Sequence, residues 1–179
     1  HTVQVGDETF KFRLLPSGIL FPGKLCVLGN GVVLDPEVLC EELDELASRG
    51  RSAEGLRISG NAHLVMPWHR VLDQASELHL GALAIGTTRR GIGPAYADKA
   101  ARVGIRMGDL VQPEIFAAKL KQRIKENNAV LKAFDAKPLK YEAVLADYTA
   151  AAKQLAPFVG NTVVYLHEAL KAKKEMLFE

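Results

Sequence analysis

The residues best suited to chemistry lie on one short segment near the middle of the chain. Residues 85–96 run Ile-Gly-Thr-Thr-Arg-Arg-Gly-Ile-Gly-Pro-Ala-Tyr. The three glycines allow tight turns and a close approach of the backbone to a ligand, and the two threonines add hydroxyl donors. Arg89 and Arg90 carry forked cationic donors that suit a phosphate or a carboxylate. The segment therefore predicts an anion site on a loop.

Positive charge continues beyond this loop. Pro94 can lie in the first turn of a following helix, where free backbone N–H groups face an anion. If that helix continues, Lys99, Arg102 and Arg106 share one of its faces. A surface loop followed by a solvated basic helix face explains the same residues, so both interpretations stay open on chemistry alone. The segment is neither a Walker loop, because no Gly-Lys-Ser/Thr closes it, nor a dinucleotide fingerprint, because its glycine spacing differs.

Histidines elsewhere have simpler explanations. His63 and His69 are six residues apart, which does not place them on one helix face, and no cysteine or carboxylate completes a metal set. Structural or surface histidines are expected at these two positions, and also at His79 and His167. Trp68 is expected to pack in the core rather than to stack on a nucleotide.

The composition limits the class of protein. The 179 residues are 48% hydrophobic and 25% charged, with a formal net charge of +2, which is typical of a soluble globular domain with its own core. A charge this small argues against nucleic acid as a partner, and no apolar run approaches the roughly 20 residues of a membrane span. Cys26 and Cys40 lack metal-ligand spacing, so reduced cysteines in the cytoplasm are favoured over a disulfide.

The elements that must position the loop follow from hydrophobic periodicity. Thr2–Val5 and Phe10–Leu15 predict a hairpin turning at Gly6-Asp7. Apolar strands at Lys24–Leu28 and Leu56–Ser59 flank a helix. The whole strand–helix–strand segment has the length of a βαβ unit. The fold class is therefore α/β, with a mainly parallel sheet covered by helices.

Helix signals mark the rest of the chain. Asp35 is a good N-cap and Gly50 a good stop for the first helix, whose acidic residues are expected to form a solvated face: Glu41, Glu42, Asp44 and Glu45. On the second helix, 68–80, the residues at helical spacing are apolar: Val71, Leu72, Ala75 and Leu78. Further helices are predicted at 113–134, 141–155 and 162–173, so the C-terminal half is more helical.

The segment 86–102 also carries a resemblance. It runs Gly-Thr-Thr-Arg-Arg-Gly-Ile-Gly-Pro-Ala-Tyr-Ala-Asp-Lys-Ala-Ala-Arg, and it resembles the long signature of adenylosuccinate synthetases. Other stretches agree in order and approximate spacing: His1-Thr2, Leu15–Leu20, Gly29–Val33, Gly104–Leu110 and Leu177–Glu179. The helical region from Pro113 to Lys174 matches in pattern only. The signature is too long for chance agreement.

The resemblance implies one partial domain of a larger enzyme. Residues 1–110 would form an α/β part with the IMP-site loop, and residues 111–179 a mainly helical subdomain. The family's N-terminal loop, which holds the GTP phosphates and Mg²⁺, precedes His1 in the family's order, and further IMP, aspartate and guanine contacts follow Glu179. The Mg²⁺ ligands are therefore expected outside this segment.

The resemblance also implies roles for four residues. His1 resembles the catalytic histidine that hydrogen-bonds the IMP oxygen receiving the γ-phosphoryl group, and with Thr2 it would lie beside GTP. Thr88 resembles the threonine that contacts the IMP phosphate. Arg102 resembles the arginine that reaches the same phosphate from the neighbouring subunit of a homodimer. Arg89, Arg90, Lys99 and Arg106 receive no role, since surface salt bridges explain the last two equally well.

The function implied is GTP-dependent ligation of IMP and L-aspartate to adenylosuccinate, through 6-phosphoryl-IMP, in purine biosynthesis. Two other classes stay open for the polypeptide as given. It could be a non-catalytic dimerisation and phosphate-binding module, because only the IMP-phosphate side of the site is present. It could also be an inert fragment whose exposed strand edges promote self-association.

Overall fold

A β-hairpin leads into the fold, and the computed structural model describes all residues from 1 to 179. Strand β1, Thr2–Val5, pairs antiparallel with β2, Glu8–Lys11. Gly6 has a φ of +60° at the first position of the two-residue turn, a conformation that glycine adopts without strain in hairpin turns. The predicted hairpin and its turn are confirmed.

The second strand of the hairpin ends four residues earlier than predicted. The Glu42 carboxylate, only 5% exposed, accepts hydrogen bonds from the backbone N–H groups of Arg13 at 2.6 Å, Leu14 at 3.2 Å and Leu15 at 2.9 Å. These amides are bound to a helix side chain instead of a neighbouring strand, so the backbone pairing of the hairpin does not continue beyond Phe12. The expectation of a fully solvated acidic face was therefore wrong at Glu42.

A three-stranded parallel sheet lies within the fold. Strand β3, Cys26–Leu28, is followed by helix α1, Pro36–Ser48, and by β5, Leu56–Ser59, which pairs parallel to β3. The third strand, β7, Val159–Gly160, pairs parallel to β5. A second parallel pair joins β4, Val33–Leu34, to β6, His63–Leu64. The predicted strand–helix–strand unit and the α/β fold class are confirmed.

Helix α1 begins as its sequence predicts. The Asp35 side chain accepts from the N–H groups of Glu37 and Val38, Pro36 occupies the first turn, and Gly50 follows the helix with a φ of +67°. The remaining helices are α2 Pro67–Leu80, α3 Ile92–Ala100, α4 Met107–Leu110, α5 Pro113–Ala133, α6 Tyr141–Leu155 and α7 Thr162–Lys171. Short 3₁₀ turns occupy residues 17–20, 81–83 and 156–158.

One hydrophobic cluster of 27 buried residues connects the sheet with the helices. Trp68 is fully buried within it, as predicted. Tyr148 of α6 is also fully buried, and its hydroxyl donates to the Val65 carbonyl at 2.9 Å. Cys26 and Cys40 are both free thiols. No helix combines the length and the hydrophobicity needed to cross a membrane.

Candidate functional site

The glycine-rich loop is attached to helix α2 by two carboxylates. Glu77 accepts from the N–H groups of Ile85 at 3.1 Å, Gly86 at 2.8 Å and Thr87 at 3.2 Å. Asp73 accepts from the Thr87 hydroxyl at 2.9 Å and from the Gly91 N–H group at 2.9 Å. The two side chains thereby hold both ends of residues 85–91.

The middle of the loop lies outside these contacts. Thr88, Arg89 and Arg90 are all exposed. Arg89 has a φ of +57°, and Gly91 follows at +77°, so the backbone turns sharply twice within three residues. The loop thus presents a hydroxyl and two guanidinium groups to solvent, which is the donor set that the sequence predicts for an anion site.

The buried face of α2 is polar, which differs from the prediction. Its most buried residues are Trp68, His69, Asp73 and Glu77. Leu78, which was predicted on the apolar face, is 67% exposed. Because His69, Asp73 and Glu77 are spaced by four residues, they form one stripe, and the loop and α3 satisfy their hydrogen-bonding groups. Sequence periodicity missed these residues, although three polar residues spaced by four beside a glycine-rich loop are a recognisable signal.

Helix α3 follows the loop and is bonded to the connection between β3 and β4. Pro94 lies in its first turn, as predicted. Lys99 donates from Nζ to the carbonyls of Asn30 at 2.7 Å and Gly31 at 3.0 Å, and the Tyr96 hydroxyl donates to the Gly31 carbonyl at 3.0 Å. Lys99 forms none of the ion pairs of the chain, so it anchors α3 to the β3–β4 connection instead of joining a surface salt bridge.

The helix ends before Arg102, so the three cations do not share a helix face. The Asp98 carbonyl accepts from the N–H groups of Val103 at 3.0 Å and Gly104 at 3.2 Å. These bonds close the helix end and leave Arg102 in a left-handed conformation with a φ of +62°. The condition under which the three cations would share one face is therefore not met. Thr88 precedes α3 and Arg102 follows it, and the exposed Arg102 takes part in no ion pair.

A half-buried acid, Asp98, connects three helices beneath the site. His69 Nδ1 accepts from the Met66 N–H group at 2.9 Å, so Nε2 carries the proton and donates to Asp98 at 2.9 Å. Arg123 of α5 donates to the same carboxylate at 2.9 Å. Burial opposes ionisation of Asp98, but the hydrogen bonds from His69 and Arg123, together with the charge of Arg123, outweigh it and lower its pKa. The prediction of a structural histidine at position 69 is confirmed.

His63 lies behind the turn that follows α3. Its ring is buried, and its Nδ1 has no hydrogen-bond partner. Burial lowers the pKa of His63, and the positive charges of Arg106 and Lys99 lower it further. Arg106 donates to the Asn61 side chain at 3.3 Å and forms no ion pair. A neutral structural histidine is the result, in agreement with the prediction.

His1 and Thr2 lie on the hairpin, on a different element from the loop. The His1 backbone nitrogen donates to the Phe12 carbonyl at 2.7 Å, and the Phe12 N–H group donates to the His1 carbonyl at 3.0 Å. The imidazole lies edge-on to the Phe12 ring, with centroids 5.9 Å apart. Both residues are exposed, and no hydrogen bond joins them to Thr88 or Arg102.

The acidic, histidine and cysteine side chains of this chain do not form a metal-binding cluster. No group of three or more His, Cys, Asp and Glu side chains is arranged to hold a metal ion. The acids nearest the loop, Asp73 and Glu77, already accept backbone and hydroxyl donors with both carboxylate oxygens. The residues present therefore do not fit a divalent cation site.

Curated relatives share this sequence along its full length. The chain is 53% identical over 180 residues to the adenylosuccinate synthetase of Moorella thermoacetica and 48% identical to that of Synechocystis. Each alignment includes all of this chain, but only 42% and 40% of the relative. The chain thus spans about two fifths of the length of these relatives.

A solved structure agrees with the fold. Fully ligated adenylosuccinate synthetase from Plasmodium falciparum superposes with a TM-score of 0.86 at 30% identity, covering 97% of this chain and 40% of that one. The family model described as adenylosuccinate synthetase matches residues 1–179. Because that match includes every residue of the glycine-rich loop, the hairpin and the helices around them, the chain belongs to the adenylosuccinate synthetase family.

Proposed function

We propose that the protein containing this chain joins IMP and L-aspartate to form adenylosuccinate at the expense of GTP, in purine (AMP) biosynthesis. The γ-phosphoryl group of GTP is transferred to the 6-oxygen of IMP, which gives GDP and 6-phosphoryl-IMP. The aspartate amine then displaces inorganic phosphate. The observation that carries the proposal is the family match over residues 1–179, with a relative of that name 53% identical along the whole chain.

In this proposal the loop and the turn after α3 bind the phosphate of IMP. Thr88 offers an exposed hydroxyl on a loop whose ends are held by buried carboxylates. Arg102 offers an exposed guanidinium outside every ion pair of the chain, so its charge is available for a bidentate contact with a phosphate. We assign Arg102 to the site of the neighbouring subunit in a homodimer, so that each site needs both chains.

We assign His1 to the phosphoryl-transfer step. Its exposed imidazole would hydrogen-bond the IMP oxygen as charge develops on it, which is the type of stabilisation that lowers barriers most effectively. Thr2 would approach GTP through its backbone. The ladder bonds between His1 and Phe12 support this assignment, because they fix the backbone that carries the imidazole.

Magnesium is part of the proposed activity but not of this segment. The acids present do not form a metal site, so we place the Mg²⁺ ligands outside residues 1–179. A cytoplasmic location is also proposed, since two free cysteines suit a reducing compartment. The division into an α/β part, residues 1–110, and a mainly helical part, residues 111–179, stays a prediction.

The test begins with the intact mass of the purified protein, compared with the 19.5 kDa of this sequence. A larger protein is then assayed for adenylosuccinate formation. Product that requires GTP, IMP and aspartate together supports the proposal, whereas a folded, full-length protein that makes none contradicts it. If the mass equals 19.5 kDa, IMP binding without turnover indicates a phosphate-binding module. Absence of binding, with aggregation that increases with concentration, indicates an inert fragment.

A further inference from the structure

Asp73 and Glu77 are unusual because they are buried acids without a cationic partner. Their exposed fractions are 8% and 6%, and no ion pair of the chain includes either residue. Acids are rarely buried so fully unless their charge is compensated. Here five hydrogen bonds from residues 85–91 supply that compensation.

These bonds divide the loop into fixed ends and a free centre. The amides of Ile85, Gly86, Thr87 and Gly91 donate to the two carboxylates. The Arg89 amide donates to the Thr87 hydroxyl oxygen at 3.3 Å. That oxygen is itself fixed by its own bond to Asp73. In the whole loop, only the amides of positions 88 and 90 meet no acceptor of the chain.

We infer that Asp73 and Glu77 are positioning residues that hold the glycine-rich loop in the shape in which Thr88 meets the substrate phosphate. The inference rests on the proposed function, since it takes IMP as the ligand of the loop. Without the carboxylates, seven residues with three left-handed conformations, at Gly86, Arg89 and Gly91, would lose their fixed points. The phosphate would then have to order the loop, and that ordering entropy would weaken binding.

The arrangement also specifies which donors the phosphate receives. A phosphate-binding loop of the Walker type surrounds its anion with most of its amides. In this loop four amides are committed to Asp73 and Glu77. Besides the side chains of Thr88, Arg89 and Arg90, the ligand therefore has only the amides of Thr88 and Arg90. The two carboxylates therefore select a small donor set and keep it in place.

The first experiment changes the acids in the full-length enzyme. Glu77→Gln and Asp73→Asn keep size but remove the charge that attracts the loop amides. Each should raise the KM for IMP at least about fivefold, while the KM for GTP changes less than about twofold. The matched control is Asn128→Ala, because Asn128 clamps the backbone of Leu139 in the α5–α6 loop with bonds of 2.8 and 2.9 Å. Asn128→Ala should lose about as much thermal stability as Glu77→Gln and Asp73→Asn, but its KM for IMP should stay unchanged.

Thr87→Val provides a second variant that avoids altering a buried charge. It removes the hydroxyl that donates a hydrogen bond to Asp73, so it should also raise the KM for IMP. In a double-mutant cycle, Thr87→Val combined with Asp73→Asn should raise the KM less than the product of the separate effects, because Thr87→Val removes the bond that Asp73→Asn weakens. An unchanged KM for IMP in Thr87→Val and Glu77→Gln, with both variants folded, overturns the inference.

A readout without catalysis separates this inference from the proposed function. Arg89 and Arg90 are exposed trypsin sites on the loop, and cleavage there requires the loop to open locally. Trypsin should cut after these residues several times faster in Glu77→Gln than in the parent protein, with cutting after the exposed Lys140 unchanged. Equal rates at the loop overturn the positioning role. If the parent protein makes no adenylosuccinate but the cleavage rates differ as expected, only the proposed substrate fails.

Discussion

Gly91 lies directly against the backbone of His69. A Cβ atom at position 91 would be 2.7 Å from the His69 carbonyl carbon and 2.8 Å from the His69 Cβ. Gly91 also has a φ of +77°, which other residues adopt only with strain. The glycine thus allows the end of the loop to pass close to the first turn of α2, where its N–H group reaches Asp73.

Gly91→Ala is therefore expected to destabilise the protein by about 2–5 kcal/mol, from the clash with the helix and from the left-handed backbone together. Urea denaturation of the folded protein measures the effect. Gly86→Ala is the matched control, since Gly86 has a φ of +80° but an added Cβ there would meet no atom within 4 Å, and it should cost about 1–2 kcal/mol. Equal losses in the two variants would show that the contact with α2 is unimportant.

The glycine-rich loop and the βαβ unit could be predicted because their signals are local. Glycine spacing, the Asp35 cap and apolar strands each depend on neighbouring residues. The fixed ends of the loop could not be predicted in the same way. The hydrogen bond from Gly86 to Glu77 forms only when α2 packs with its polar residues facing the loop. Periodicity placed Leu78 on the buried face, but tertiary contacts made by His69, Asp73 and Glu77 outweighed that apolar pattern.

The end of α3 and the role of Glu42 also depend on tertiary structure. The left-handed position that ends α3 is occupied by Arg102 and not by a glycine. The carbonyl of Asp98 is shared by two later amides, and the Asp98 side chain is bound by His69 and Arg123. Glu42 resembled a member of a solvated acidic face, but the chain at Leu14 crosses over it. Such partners are distant in sequence, so a single sequence does not reveal them.

Asp98→Asn is expected to lower the free energy of unfolding by about 1–3 kcal/mol at neutral pH. The change weakens the bonds from His69 and Arg123 that lower the pKa of Asp98. Because that pKa is lowered in the folded state, the contribution is present above the ordinary value of 3.8 and is lost as the pH falls through the folded value. The difference between variant and parent, measured by urea denaturation, should therefore shrink in acid.

Asp147→Asn is the control for this pH dependence, since Asp147 is an exposed acid on α6. It should change stability by less than about 0.5 kcal/mol at any pH. A constant difference between Asp98→Asn and the parent from neutral to strongly acidic pH would contradict the role assigned to the Asp98 charge.

His63 should titrate below its ordinary pKa of 6.5, because burial and the charges of Arg106 and Lys99 all oppose its protonation. A hydrogen bond with the backbone of Asn61 and the charge of Asp109 act in the opposite direction with smaller effects. As the pH falls below 6.5 the unfolded chain binds this proton before the folded one, so folded stability decreases down to the folded pKa. NMR titration of the imidazole measures that pKa directly.

Arg106→Gln should raise the pKa of His63 without returning it to 6.5, because burial and Lys99 remain. Arg51→Gln is the control, as Arg51 pairs with Glu8 beside the hairpin and should leave the pKa of His63 unchanged. A parent protein in which His63 titrates at or above 6.5 would contradict the assignment of a neutral buried ring.

Arg102→Ala in the full-length enzyme should raise the KM for IMP about 10- to 100-fold, the loss expected when a charge-assisted contact with a phosphate is removed. Steady-state kinetics at saturating GTP and aspartate measure it. Arg90→Ala is a comparison within the same surface, and it should have the smaller effect because Arg102 alone is assigned to the phosphate across the dimer.

Mixing tests whether Arg102 acts across subunits. In a hybrid of an Arg102→Ala chain with a His1→Ala chain, one site combines a normal His1 with a normal Arg102, and the other site carries both defects. Random pairing of equal amounts makes half of the dimers hybrid. At an IMP concentration far below the KM of Arg102→Ala, about a quarter of the parent activity should therefore return. Arg102→Ala mixed with a chain carrying both substitutions should recover none, because no normal Arg102 is present. If hybrids form, as shown by co-purification of differently tagged chains, and activity stays absent, Arg102 does not serve the neighbouring site.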